Sequence, residues 1–162
     1  MNRFLRTTIY ISIIFISILS ANAQTSKFVL EVLVTEDGRK LSNASVSVYK
    51  NGAKQETFKT DAKGKVDVVL DLDADYIVSF SSMGMITKKL KIDTRNVPPE
   101  DLGANFGFPA EVDIFKKIPD LDIKILDEPI GIIRYDPNIT NFDVDMGHTQ
   151  RVKAQLEKLQ KD

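Results

Sequence analysis

The 162-residue chain carries 22 basic and 23 acidic side chains, a single histidine, and no cysteine or tryptophan. This near-even balance offers no electrostatic footprint for nucleic acid or an anionic membrane. The missing thiols exclude cysteine nucleophiles, thiolate metal sites and disulfides. Length and composition suit one domain with its own core.

The first expected element is an export signal. "MNRFLR" supplies Arg3 and Arg6, an apolar run follows from Ile9 to Leu19, and Ala21-Asn22-Ala23 ends it as a small-residue box. That layout is a secretory signal peptide over residues 1–23, cleaved after Ala23. The alternative is a retained N-terminal anchor, for which the apolar run is short, since a spanning helix needs about 20 residues. Without a cysteine behind the box there is no N-terminal lipid anchor. An exported chain lacking disulfides points to a bacterial envelope, periplasmic or outer-membrane associated, with no transmembrane segment in the mature chain.

From Phe28 onward, short apolar runs recur at intervals of about ten residues between turn signals, the spacing of an all-β sandwich or barrel. "FVLEVLV" (28–34) is nearly all apolar and is expected to be buried on both faces. "ASVSVYK" alternates, with Val46 and Val48 on one side, as a half-exposed strand does. Asn51-Gly52 is a hairpin signal, and the polar "KQETFKT" reads as a return strand at a sheet edge. "VDVVL" puts Val66, Val68 and Leu70 on one face, and "YIVSF" does the same with Tyr76, Val78 and Phe80. In "ITKKLKI", the series Ile86, Leu90, Ile92 is interrupted by Lys88, the pattern of a strand with one face in water.

Residues 93–109 hold three prolines and two glycines and read as an irregular crossover. "AEVDIFKK" then supplies one more strand. The runs Ile123–Leu126 and Ile130–Tyr135 are bounded by prolines and read as two edge strands or an extended arm. "DMGHTQRVKAQLEKLQKD" is the one clear helix, with Asp145 as N-cap and Val152, Leu156 and Leu159 at i, i+4 and i+7 on a narrow stripe. Such a stripe either docks on the domain or seeks a partner.

The stretches "VLVTEDGRKLSNASVSVYKNG", "FKTDAKGKVDVVL" and "DADYIVSFSSMGMITKKLKIDT" resemble the carboxypeptidase regulatory-like domain in its short exported Bacteroidota form. The matching positions are Asp37, Gly38, Leu41, Ala44, Val46, Thr60, Asp61, Gly64, Tyr76, Val78, Phe80 and Gly84, within Glu31 to Thr94. Val32, Asn43 and Met85 replace the two glycines and the aromatic usual at their positions. The resemblance implies a seven-stranded immunoglobulin-like or transthyretin-like β-sandwich over 24–115, followed by a C-terminal arm and amphipathic helix over 116–162. It carries no catalytic residues.

The candidate sites are few. "DLDADY" sets Asp71, Asp73 and Asp75 at alternate positions, like the start of a calcium loop, but the glycine and the glutamate such a loop requires are replaced by Tyr76 and Ser82. It reads as a turn between strands, with a weak surface calcium site as the alternative. His148 has no zinc-peptidase spacing and no sequence-adjacent nucleophile partner, and reads as a solvent-exposed residue near a helix start. Paired carboxylates drawn from distant positions stay open. The expectation is a non-catalytic protein with no catalytic, cofactor or metal residues, contacting an envelope protein through strand edges or through Val152, Leu156 and Leu159. The alternative is a carbohydrate-binding module that stacks a glycan on Tyr49 or Tyr135.

Overall fold

The computed structural model describes residues 26–117, 119 and 124–159; the export signal expected over 1–23 lies outside them. The described residues form ten strands in two sheets and one C-terminal helix. The strands are β1 (Lys27–Glu36), β2 (Arg39–Lys40), β3 (Ser45–Lys50), β4 (Ala53–Lys59), β5 (Lys65–Asp71), β6 (Asp75–Ser81), β7 (Lys88–Asp93), β8 (Phe106–Asp113), β9 (Gly131–Asp136) and β10 (Asn141–Val144), and the helix is α1 (Met146–Leu159). The smaller sheet centres on β1, flanked by antiparallel β5 and β2 and by parallel β8. The larger sheet runs β10-β9-β7-β6-β3-β4.

Alternation does most of the work. Val46 and Val48 in β3, Val68 and Leu70 in β5, and Tyr76, Val78 and Phe80 in β6 all fall on buried faces and share one core with Phe28, Leu30, Val32 and Val34 of β1. Asn51 and Gly52 take φ of 49° and 82° and turn β3 into β4, which closes that end of the larger sheet with mostly exposed side chains. Gly64 is required for a second reason. Its φ is +75°, and a Cβ there would lie 2.6 Å from the Val34 carbonyl oxygen.

Four expectations need correction. β1 is buried on one face only: Glu31 is exposed and Lys27, Val29 and Leu33 are half-buried, because no described residue covers the outer face of the smaller sheet. β8 begins at Phe106, inside the stretch read as crossover, and contains Pro109. Its ladder explains why. Ile114 donates its N–H to the Thr35 carbonyl at 2.8 Å, so even-numbered residues of β8 turn their backbone groups to β1, while Gly107, Pro109, Glu111 and Asp113 face outward. Pro109 therefore costs no ladder bond, as suits an edge strand.

The described part of the segment expected as an arm over 116–162 is built into the fold. β9 inserts beside β7 in parallel register, from Leu90↔Gly131 to Asp93↔Arg134, and β10 pairs with β9. Ile133, Tyr135 and Phe142 belong to the same core as the N-terminal strands, where Phe28, Phe106, Tyr135 and Phe142 meet edge to face. Ten strands thus stand where seven were expected, and Lys124–Asp127 forms a 3-10 turn, not a strand.

Candidate functional site

α1 begins where the sequence places it. Asp145 accepts the His148 N–H at 3.0 Å, and the Thr149 N–H bonds to the Asp145 carbonyl at 3.0 Å. The first of these caps an otherwise unpaired amide of the first turn, and the second is the first bond of the helix itself. The His148 amide holds the Asp145 carboxyl below its usual range, with Arg134 at 3.2 Å adding to the effect. His148 itself is half-buried, which corrects the solvent-exposed reading. Its Nε2 lies 2.6 Å from the Pro129 carbonyl and its Nδ1 2.9 Å from the Arg151 guanidinium. Nε2–H therefore donates and Nδ1 accepts, and the ring ties the start of α1 to the loop before β9.

The apolar stripe of α1 faces inward. Val152 is only 1% exposed, and Leu156 is half-buried against Ile86, Phe115 and Leu126, a second small cluster. The Leu159 side chain lies outside the described residues.

Between α1 and the outward edge of β8 runs a groove of about 410 Å³, walled by Ile130, Thr149, Val152 and Leu156, with Glu111, Asp113 and Lys153 on its rim and Lys88 within it. That volume falls in the range of small-ligand and peptide-side-chain pockets, and the apolar wall with few polar groups is the usual chemistry of such sites. The backbone groups that Glu111 and Asp113 turn away from β1 pair with no other strand among the described residues.

Lys88 is the residue that reading the sequence missed. It sits at the start of β7 on the buried parity of Ile86, Leu90 and Ile92, and the signal was there: a lysine at an inward position of an alternating strand. Burial pushes its ammonium below the ordinary lysine pKa, while the Asp113 charge works in the other direction. Its ammonium lies 5.1 Å from the centre of the Phe115 ring, a favourable cation–π placement. No carboxylate of the described residues comes within ion-pair distance of it. Asp113 is turned elsewhere, its Oδ1 accepting from the Thr35 hydroxyl at 2.8 Å and the Gly38 N–H at 3.1 Å.

The other candidates separate from this groove. Asp71 takes Lys27 and Lys50 as ion partners, and their hydrogen bonds bring its pKa down to about 2. Asp75 faces Lys91 at 3.1 Å and Arg95 at 3.7 Å. Asp73 occupies the turn at φ 60°. The turn itself is fastened by the buried Thr94 hydroxyl, which accepts from the Ala74 N–H at 3.1 Å and lies 3.0 Å and 2.9 Å from the Asp71 and Ala74 carbonyl oxygens. Tyr135 does not present a ring to solvent. It is 8% exposed, packed against Phe106 and Phe142, and donates its hydroxyl to Asp101. Tyr49 is half-buried on the larger sheet. The structure therefore brings Val152 and Leu156 to one groove and leaves the tyrosine pair apart, one of them in the core.

No helix among the described residues is long and apolar enough to cross a membrane. No protein-family model matches the chain, and no curated protein matches it. Among solved structures, it is similar to 3-chlorocatechol 1,2-dioxygenase from Rhodococcus opacus 1CP, at 10% identity and a TM-score of 0.44, over 60% of this chain and 62% of that one. It is also similar to the Bacillus anthracis TIE protein, at 21% identity and a TM-score of 0.44, over 56% of this chain and 17% of that one. Catechol 1,2-dioxygenase from Acinetobacter sp. ADP1 matches at 14% identity and a TM-score of 0.43, over 68% and 59% of the two chains. The chain spans only part of the length of each, and likenesses this distant carry nothing about activity.

Proposed function

We propose that this chain is a non-catalytic, exported β-sandwich module of the carboxypeptidase regulatory-like, transthyretin-like kind that makes protein contacts in a bacterial cell envelope. The observation that carries the reading is the pairing of an unprotected strand edge with an apolar helix wall, β8 on one side and Val152 and Leu156 on the other. An extended segment laid against such an edge gains main-chain hydrogen bonds from the strand and side-chain pockets from the helix. The charged, mostly exposed β4 edge has the opposite character, that of an edge kept from pairing. Residues 1–23 support export, and the absence of cysteine supports a bacterial envelope.

The test is crosslinking in the native envelope followed by identification of the captured protein, comparing wild type with Leu156→Asp. Leu156 is half-buried and lies outside the main core, so its replacement leaves that core intact while placing a charge in the groove wall. Capture lost in the variant supports the reading. Capture of equal strength in both removes the groove from it.

A further inference from the structure

We infer that the groove between β8 and α1 receives the C-terminal tail of a partner polypeptide, ending in an aliphatic residue with a free carboxylate. The inference rests on the protein-contact reading above and names the chemistry of the partner. Three features of one place converge on it.

The first is the strand edge. Glu111 and Asp113 direct their N–H and C=O groups away from β1, and Pro109, in the same outward series, has no N–H to offer. The edge that can pair is therefore short, a matter of a few residues near the end of β8, which suits a tail better than a long strand. The second is the wall. A strand added to β8 alternates its side chains, and those on the inner face point toward Ile130, Val152 and Leu156, where an aliphatic side chain loses its contact with water.

The third is Lys88, which sets the sign of the ligand. Its ammonium is half-buried, has an aromatic ring beneath it and lacks an ion-pair partner among the described residues. A partly desolvated ammonium of this kind favours an incoming anion, since a charge-assisted hydrogen bond replaces the water it has lost. Lys153 on the rim adds a second positive charge. Glu111 and Asp113 oppose a ligand anionic along its length, and so favour a single terminal carboxylate over an acidic peptide. The Asp113 carboxylate is already engaged by Thr35 and Gly38.

The experiment uses the mature full-length protein and labelled six-residue peptides ending in Val, Leu or Ile as free acids. The same peptides as C-terminal amides, and peptides ending in Asp or Lys, serve as comparisons. Binding is read by fluorescence anisotropy, and the site by amide NMR shifts. The expected result is binding of free acids, at least roughly tenfold weaker for the amides, shifts centred on Glu111, Asp113 and Val152, and loss of the preference for free acid over amide in Lys88→Met. Lys88→Gln provides a second test should Lys88→Met fail to fold. Equal binding of acids and amides, shifts centred on β4 or β5, or no binding by any peptide at about 1 mM overturns the inference. If envelope crosslinking through Leu156 persists in Lys88→Met while no free-acid peptide binds, the carboxylate inference falls and the protein-contact reading stands. If crosslinking is also insensitive to Leu156→Asp, both fall.

Discussion

Two buried threonines do at residue scale what the aspartates of the turn suggest and do not do. Thr94 fastens the turn after β5 through Ala74 and Asp71, and Thr60 does the same at the other end, donating to the Leu41 carbonyl at 2.7 Å and accepting from the Ala44 N–H at 2.9 Å. Thr94→Val keeps the shape and removes the hydroxyl, leaving the Ala74 N–H buried without its side-chain acceptor. The expected loss is about 1–3 kcal/mol, read by urea unfolding; an unchanged midpoint would show that water replaces the hydroxyl. Asp71 sets a pH dependence. Its folded pKa of about 2 lies below the usual carboxylate range because Lys27 and Lys50 hold the charged form. The stability it confers is therefore present above about pH 4 and is lost as pH falls toward about 2. Asp71→Asn should flatten that part of the stability curve by lowering the neutral plateau toward the acid value, by less than the pKa shift alone implies because the pair is solvent-screened. Tyr135 has the opposite sign. Its phenol is pushed up to about 12 by the hydrogen bond to Asp101 and by burial, so its contribution is complete below about pH 10 and fades as pH rises toward about 12. In an ultraviolet titration, Tyr135→Phe should delete a tyrosine ionisation near pH 12.

At the scale of elements, legibility follows local period. The strands from β3 to β6 were readable because each alternates cleanly and is joined by a turn with its own chemistry, as at Asn51-Gly52. α1 was readable from Asp145 and a stripe at helical spacing. β8 and β9 were readable only in part, and for different reasons. β8 hides behind Phe106, Gly107 and Pro109, residues that signal a loop unless the proline is known to face an open edge. β9 reads "GIIRYD", with Gly131, Ile133 and Tyr135 buried; its parity is visible, but not its place beside β7, since parallel pairing across a long connection leaves no local mark. The groove was half legible for the same reason: the sequence offered Val152 and Leu156, but not the strand edge or Lys88 that face them. The two stripe residues now separate in role. Val152→Asp places a charge in a site that is 1% exposed, and should cost of the order of 3 kcal/mol or more. Leu156→Asp, on the groove wall, should cost far less. Thermal unfolding of the two variants side by side checks the difference, and equal losses would mean that α1 is anchored along its whole length.

The whole molecule is tied together by pairings between distant parts of the chain. Thr35 bonds to Asp113 across 78 residues, and β7 takes β9 as its neighbour only after the chain has passed through β8 in the opposite sheet. Such non-local pairings must close long loops before they contribute, so folding should be slow for a chain of this size. They also make β9 and β10 part of the core and not an appendage. Removing them would bare the β7 edge along Leu90 to Asp93 and take Tyr135 and Phe142 away from Phe28 and Phe106. A fragment of residues 24–117 retains the complete region of family resemblance, so a separable sandwich ending near Phe115 predicts a folded fragment. The structure predicts the reverse: weak near-ultraviolet circular dichroism, poor amide dispersion and binding of a hydrophobic dye, beside a full-length chain that unfolds in one cooperative step. A dispersed, cooperatively unfolding fragment would show that β9, β10 and α1 are added to a core already complete without them.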